Sequence, residues 1–165
     1  MQYVSTRGQS QPLPFCDAVR AGLADDGGLF VPERLPDFSG RLDELAAMDY
    51  PDLAEAIVRE FATDIPAADL RGLVEATYAP DVFPGGVAPL ATAGDMHIQE
   101  LFHGPTLAFK DVALQFLGNL FDYILARRGG SMTVLAATSG DTGAAAIAAL
   151  GGRANISLFV MHPAG

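Results

Sequence analysis

The carboxyl-terminal half of the chain alternates apolar runs typical of strands with helical patterns, and this alternation constrains the fold most. The predicted elements are a strand at residues 97–102, a helix at 107–128, a strand at 133–137, a helix at 142–150 and a strand at 156–161. Such an order is typical of a parallel sheet covered by helices. The runs at 134–137 and 156–161 would suit strands buried on both faces. We therefore expect an α/β fold with a doubly wound parallel sheet.

The amino-terminal half has a different pattern, which predicts a small, mostly helical domain. The predicted elements are a strand at residues 3–6 and helices at 14–23, 51–63 and 66–78. Prolines and a pair of glycines in residues 80–89 indicate a linker. We place the domains at residues 1–84 and 85–165. Because a doubly wound sheet needs more strands than these, we expect the chain to be truncated.

Composition and charge exclude several classes of partner. The formal net charge is -10, which argues against binding to nucleic acid or to an anionic membrane surface. The single cysteine, Cys16, excludes an internal disulfide and is typical of a reducing compartment. No apolar run is long enough to span a membrane. The three histidines lack metal-ligand spacing. We expect a cytoplasmic protein that binds a small molecule and no metal.

One residue, Lys110, is the only lysine of the chain, whereas nine arginines supply the other strong positive charges. Arginine stays protonated in proteins, but lysine can release its proton. A neutral amine is the nucleophile that forms a Schiff base with a carbonyl group. Lys110 is therefore the first candidate for chemistry. The alternative is an ordinary solvated lysine, left over in a chain whose composition favours arginine.

The phase of the predicted helix at 107–128 bears on this choice. Lys110 projects in line with Leu114, Leu117 and Phe121, an apolar seam that would face the protein interior. An ammonium there costs free energy unless it is paired or neutralised, although a lysine near a helix start can also reach solvent. The polar residues form a second stripe, and they are Asp111, Gln115, Gly118, Asn119 and Asp122.

A second motif, Thr-Ser-Gly-Asp-Thr-Gly at residues 138–143, joins a predicted strand to a predicted helix. Small and hydroxyl residues at a helix start present backbone N–H groups to an anion, such as a phosphate or a carboxylate. The alternative is simple capping of the helix by Ser139 or Asp141. In a doubly wound fold, this loop and Lys110 would both lie at the carboxyl ends of strands. Together they suit an aldehyde cofactor and an amino-acid carboxylate, a description that pyridoxal 5'-phosphate meets.

The two motifs also carry a family resemblance. His-Gly-Pro-Thr-Leu-Ala-Phe-Lys-Asp at residues 103–111 and the motif at 138–143 resemble those of the threonine synthase family. Tyr-Val-Ser-Thr-Arg-Gly at 3–8 and Asp-Gly-Gly-Leu-Phe-Val-Pro at 26–32 resemble the amino-terminal signatures of the same family. The resemblance implies a small helical domain followed by the start of a fold-type-II, tryptophan synthase beta-like domain that binds pyridoxal phosphate.

The resemblance further implies the conversion of O-phospho-L-homoserine and water into L-threonine and phosphate. Lys110 would form the Schiff base with the cofactor and then move protons at Cα and Cβ of the substrate. Asp141 would lie near the ring hydroxyl of the cofactor. The expected ligands of the substrate carboxylate are Ser139, Gly140, Thr142 and Gly143.

Two alternatives stay open for the function. The first is a threonine-synthase-like phospho-lyase, which eliminates phosphate without making threonine. The second is a non-catalytic fragment that binds a small anion. Because family members carry a later glycine-rich loop for the cofactor phosphate, and this loop is not found here, we expect the chain to hold part of a site and not to turn over substrate. The sequence does not predict the oligomeric state.

Overall fold

The computed structural model describes residues 1–163, and the chain divides into two compact units, Met1–Val74 and Glu75–Gly165. The expected domain boundary at residues 84 and 85 lies ten residues later than this division and stays a prediction. Residues 164 and 165, which close the second expected domain, lie outside the described residues. Within residues 1–163, no helix combines the length and the apolar character needed to cross a membrane.

The first unit is mostly helical, as expected, with one small sheet. Its elements are β1 (Tyr3–Ser5), α1 (Phe15–Ala21), β2 (Phe30–Pro32), α2 (Leu42–Ala46), α3 (Tyr50–Phe61) and α4 (Ala67–Thr77), the last of which crosses the division. Strands β1 and β2 pair antiparallel. The sequence pattern did not predict β2 and α2, because segments of three and five residues are too short to show a period.

The core of the first unit forms around α3 and α4. Leu70 and Val74 are fully buried, one turn apart on α4. The ring of Tyr3 packs 5.8 Å from that of Phe15, and its hydroxyl donates to the carbonyl of Phe61 at 3.1 Å. The phenol thus joins β1 to the end of α3 while its ring stays in the core.

A carboxylate, that of Asp26, organises the loops beside β1. It accepts hydrogen bonds from the Ser5 hydroxyl at 2.7 Å, from the Gly28 N–H at 2.9 Å and from the Gln9 N–H at 2.9 Å. The Ser5 hydroxyl, followed by these backbone donors, lowers the pKa of Asp26 to about 2. The charged form of Asp26 is therefore part of the native loop structure.

The second unit contains the predicted alternation of strands and helices. Its elements are β3 (Leu90–Ala93), β4 (Met96–Gln99), α5 (Lys110–Arg128), β5 (Met132–Ala137), α6 (Asp141–Leu150) and β6 (Ile156–Met161). Strands β5 and β6 pair parallel, with Met132 opposite Ile156 and Ala137 opposite Met161. Helix α6 connects them, so this part is a βαβ unit.

The strand predicted at residues 97–102 does not join this parallel sheet. It corresponds to β4, which pairs antiparallel with β3 in a hairpin. Gly94, with a φ of 61°, supplies the left-handed backbone that the tight turn requires. The sequence pattern missed β3 because Leu90–Ala93 directly follows the proline-rich segment and has no apolar alternation.

Burial of the parallel sheet also differs from the expectation. Alternate residues of β5 and β6 are exposed, so the described chain covers one face only. The open face carries the large side chains of Leu135, Phe159 and Met161, which are 64%, 59% and 52% exposed. Their apolar character indicates burial on both faces, but the described residues provide helices for one face.

Helix α5 packs against α6 at a point where two backbones approach closely. A Cβ atom at Gly118 would lie 2.5 Å from the carbonyl oxygen of Ala149, which is closer than carbon and oxygen atoms can approach. One turn further along α5, Asp122 pairs with Arg153. Arg153 also donates to Asn119 Oδ1 at 2.9 Å. A close backbone approach joins α5 to the last turn of α6, and charged hydrogen bonds join α5 to the turn that follows α6.

The polar stripe of α5 lies against other residues. Asn119 donates to the Thr77 hydroxyl at 3.0 Å, and Asp111 and Gly118 are buried. Phe121 of the apolar seam is buried as expected. Residues of both stripes are thus covered, and Asn119 and Asp111 have specific partners, whereas the buried Nε2 of Gln115 has none among the described residues.

We predict that acid destabilises the first unit through Asp26. A carboxyl group whose folded pKa lies near 2 rather than at about 3.9 stabilises the fold above the unfolded value, and the contribution is lost as the pH falls through this window. The free energy of unfolding, measured by urea denaturation between pH 5 and pH 2, should fall less steeply in Asp26→Asn than in the wild type. Equal slopes would contradict this role.

We predict that Gly118→Ala weakens the second unit, because the added methyl group meets the backbone of Ala149. Overpacking of this kind costs about 1–3 kcal/mol. Gly72→Ala is the matched control, since Gly72 lies inside α4 with no atom within 4 Å of the added Cβ; alanine there should stabilise by about 0.5–1 kcal/mol. Native-state amide exchange measures the change in stability of α5 in Gly118→Ala and of α4 in Gly72→Ala. Equal changes in the two variants would contradict the close approach of Gly118 to Ala149.

Candidate functional site

The only lysine, Lys110, is the first residue of α5. Its side chain is half-buried, and Nζ lies 4.8 Å from the centroid of the Phe109 ring. An ammonium over an aromatic face is attracted to it, which reduces the freedom of the side chain. Lys110 is therefore neither a fully solvated lysine nor one enclosed in the core.

The loop before Lys110 explains why α5 begins three residues later than predicted. Leu107 has a φ of 59°, a left-handed conformation that is uncommon for a leucine and that interrupts a helix. Its N–H donates to the Gly104 carbonyl at 3.1 Å. The Asp111 carboxylate accepts from the Thr106 N–H and from the Thr106 hydroxyl, both at 2.8 Å. These contacts form a compact turn instead of a first helical turn.

Sequence reasoning did not select Asp111 as a site residue. Its carboxylate is fully buried and lies beside Gly104, where a Cβ would come 2.6 Å from Asp111 Oδ2. The sequence signal that could have indicated its role is an acidic residue in the first turn of α5, five positions after Thr106. The helical phase assigned it to a polar stripe without indicating that the stripe is covered.

A histidine, His103, lies at the start of the same loop in a packed position. Its Nε2 is 2.7 Å from Glu100 Oε2, and its ring lies against Gly85, where a Cβ would come 2.2 Å from Nδ1. The ring also lies 4.6 Å from that of Phe102. His103 therefore shapes the entry to the loop. Over residues 1–163, no three His, Cys, Asp or Glu side chains are grouped as metal ligands.

The second motif forms the turn between β5 and α6. Gly140 occupies the N-cap position and no side chain caps the helix there, so neither Ser139 nor Asp141 is the cap. Ser139, Gly140, Asp141 and Thr142 are all exposed. The expected capping by Ser139 or Asp141 is therefore not observed, and the anion site stays a prediction.

Gly143 contributes differently from the other residues of the motif. It is buried, and its N–H donates to the Gly140 carbonyl at 2.9 Å. A Cβ at this position would lie 2.7 Å from Thr138 Cγ2. Glycine is therefore needed for the shape of the turn, and its amide already has a partner within it.

A cleft of about 390 Å³ opens beside this turn. It is lined by Ala137, Thr138 and Ser139 after β5 and by Met161, His162 and Pro163 after β6. It thus lies at the carboxyl ends of two parallel strands, where ligands bind in open α/β sheets. A cleft of similar size in the first unit, about 420 Å³, is lined by charged residues of α2 and α3 that form ion pairs, among them Arg41 with Glu44 and Arg59 with Glu55.

Helix packing brings the two motifs to the same end of the unit. The order of the elements indicates that α5 and α6 run parallel, because α5 ends just before β5 begins, and α6 runs back from the end of β5 to the start of the parallel strand β6. Gly118 of α5 lies against Ala149 of α6. Two turns before this contact lie Lys110 on α5 and Asp141 on α6. The starts of both helices therefore lie at the same end of the pair.

Comparison with known proteins identifies relatives over the whole length. A family model described as the threonine synthase N terminus matches residues 2–78. The threonine synthase of Pseudomonas aeruginosa is 50% identical over 99% of this chain and 35% of its own length. That of Methylobacillus glycogenes is 46% identical over 99% of this chain and 36% of its own. The chain thus spans about a third of the length of the relatives it matches.

Solved structures agree with these relatives. The crystal structure of threonine synthase from Brucella melitensis with bound pyridoxal phosphate has a TM-score of 0.90 and 47% identity to the chain, over 100% of this chain and 36% of that one. The match confirms the predicted fold class, a small helical amino-terminal region followed by the start of an α/β domain. On these sequence and structural grounds, the chain is similar over its whole length to the amino-terminal third of threonine synthases.

Proposed function

We propose that the chain supplies the Schiff-base lysine and the substrate-carboxylate site of a pyridoxal-phosphate enzyme that makes L-threonine and phosphate from O-phospho-L-homoserine and water. The observation that carries this proposal is the parallel packing of α5 and α6, which puts Lys110 and the exposed start of α6 at one end. Similarity to threonine synthases and the cofactor bound by the Brucella melitensis protein support the same chemistry.

The residues present fit such a cofactor. Lys110 is the only lysine and is half-buried, so its amine is held near an apolar ring yet remains reachable. The turn after β5 offers hydroxyl groups and helix-start amides beside an open cleft. An amine and an anion site at the same end of two helices match an aldehyde cofactor and an amino acid with a free carboxylate. When bound, pyridoxal phosphate supplies that aldehyde and a ring that withdraws electrons from the amino acid.

Each residue then has a distinct role in the proposed reaction. The amine of Lys110 would hold the cofactor covalently, and the same amine would take the proton from Cα of the amino acid and move a proton at Cβ. Ser139 and Thr142 would donate from their hydroxyl groups to the substrate carboxylate, and Gly140 from its backbone. Gly143 holds the turn in shape through its own hydrogen bond, and Asp141 would lie near the ring hydroxyl of the cofactor.

A cytoplasmic location and a small-molecule partner complete the proposal. Cys16 is buried in α1, and a chain with one cysteine suits a reducing compartment. The acidic charge of -10 suits a freely dissolved metabolite better than a polyanion.

We predict that incubation with pyridoxal phosphate and borohydride labels Lys110. Reduction fixes the adduct of an amine with an aldehyde, and mass spectrometry of the digested chain then locates it. The α-amino group of Met1, which lies 2.7 Å from the Thr63 hydroxyl, is the internal control because it is an ordinary amine. We expect label on Lys110 at cofactor concentrations that leave Met1 unlabelled.

Lys110→Arg is the matched variant for this experiment, because it keeps the positive charge and cannot form the adduct. It should lose the label and keep its folded stability within about 0.5 kcal/mol, as is usual for a substitution at a partly exposed position. Label on Met1 alone in the wild type would refute the proposed role of Lys110.

A further inference from the structure

We propose that Asp111 is a positioning residue for Lys110: its buried carboxylate ties the loop at residues 104–109 to the first turn of α5 and so fixes the backbone that carries the amine. The inference rests on the proposed function of Lys110. It concerns Asp111, the residue after the lysine. The proposed reaction does not itself use Asp111.

The first argument is the geometry of the carboxylate. Asp111 is fully buried, and its two oxygens accept separately from Thr106, Oδ2 from the N–H and Oδ1 from the hydroxyl, each at 2.8 Å. Two bonds from one residue fix orientation as well as distance. Because burial without such donors costs free energy, the carboxylate requires Thr106 to stay where it is.

The second argument is the close approach of the loop backbone. A Cβ at Gly104 would lie 2.5 Å from Asp111 Cβ and 2.8 Å from its Cγ. Only glycine allows the chain to pass so near the carboxylate. Both ends of the Gly104–Thr106 turn therefore contact Asp111, one by packing and the other by hydrogen bonds.

The third argument is the strain within the loop. The left-handed backbone of Leu107, with a φ of 59°, is strained for a leucine and persists only where surrounding contacts impose it. The Leu107 side chain is 73% exposed, so its own packing does not impose the conformation. The contacts that do are the hydrogen bond from its N–H to the Gly104 carbonyl and the two bonds of Thr106.

These contacts determine where the amine lies. Phe109 follows the strained residue by two positions, has no side-chain capping bond, and places its ring 4.8 Å from Lys110 Nζ. If the tie at Asp111 is broken, Leu107 relaxes to negative φ and the Phe109 ring moves with the loop. Lys110 then samples more orientations, and fewer of them present the amine to an aldehyde held at the site.

The test combines amide exchange with borohydride labelling in the intact chain. We expect Asp111→Ala to raise the exchange rates of the Thr106 and Leu107 amides about tenfold or more. The initial rate of label formation on Lys110, at a fixed low concentration of pyridoxal phosphate, should fall about tenfold. Thr106→Val, which removes the hydroxyl and keeps the N–H, should give smaller changes of the same sign; Thr106→Ser should restore wild-type values.

The matched control is Asp122→Ala, which removes a carboxylate from the same helix and breaks the pair with Arg153. It should lower global stability without changing exchange at Thr106 or the labelling rate. If Asp111→Ala does not fold, the comparison of Thr106→Val with Thr106→Ser tests the positioning role. Both variants keep the buried Asp111 carboxylate, and they differ in the side-chain hydroxyl that donates to it.

The outcomes separate the two proposals. Wild-type exchange and labelling in both Asp111→Ala and Thr106→Val would overturn the positioning role, and so would equal effects of Asp122→Ala. Failure of the wild type to take label at Lys110 would refute the proposed chemistry of that lysine and, with it, the positioning of a reactive amine, whatever the exchange rates show.

Discussion

The close approach of α5 to α6 at Gly118 is the contact on which the rest of the second unit depends. Without a side chain at this position, the α5 backbone comes near enough to Ala149 for Arg153 to pair with Asp122 and donate to Asn119. Because β5 and β6 are parallel and α6 connects them, the two helices also run in the same direction. That direction brings Lys110 and the turn between β5 and α6 to one end of the helix pair, and the turn lies beside the carboxyl ends of β5 and β6.

A second constraint acts locally, in the loop before α5. The helix starts at Lys110 because Leu107 is left-handed, and Leu107 is left-handed because the loop is tied to Asp111. The strain therefore has a structural cause and a consequence: it places the lysine at the exposed start of a helix instead of in its second turn. An amine there can be approached by a small molecule, whereas one turn later it would pack against neighbouring elements.

Sequence reasoning predicted most of the elements of the fold, and its failures have physical causes. Helical periodicity indicated α1, α3, α4 and α5, an alanine-rich segment indicated α6, and continuous apolar runs indicated β5 and β6. The hairpin partner β3 was missed because its register depends on Gly94 at the turn and not on alternation. The expectation of a sheet buried on both faces followed from apolar composition, which does not reveal how much covering structure is present.

The candidate site was predictable to a similar degree. Composition singled out Lys110, and the strand-to-helix motif indicated the turn at Ser139 and Gly140. The sequence could not indicate that the polar stripe of α5 is covered, because helical phase orders residues around an axis without saying which sides have neighbours. For the same reason Asp111 passed as one polar residue among five, although it is fully buried.

Parallel packing of α5 and α6 is the claim on which the site depends, and paramagnetic relaxation tests it directly. A nitroxide attached at Ala144→Cys, in a Cys16→Ser background, lies in the second turn of α6 on an exposed residue. Because α5 has 19 residues and is roughly 28 Å long, its two ends are at clearly different distances from the label. The structure predicts strong broadening of the Lys110–Val112 amides and little at Arg127 and Arg128; the reverse pattern would contradict it.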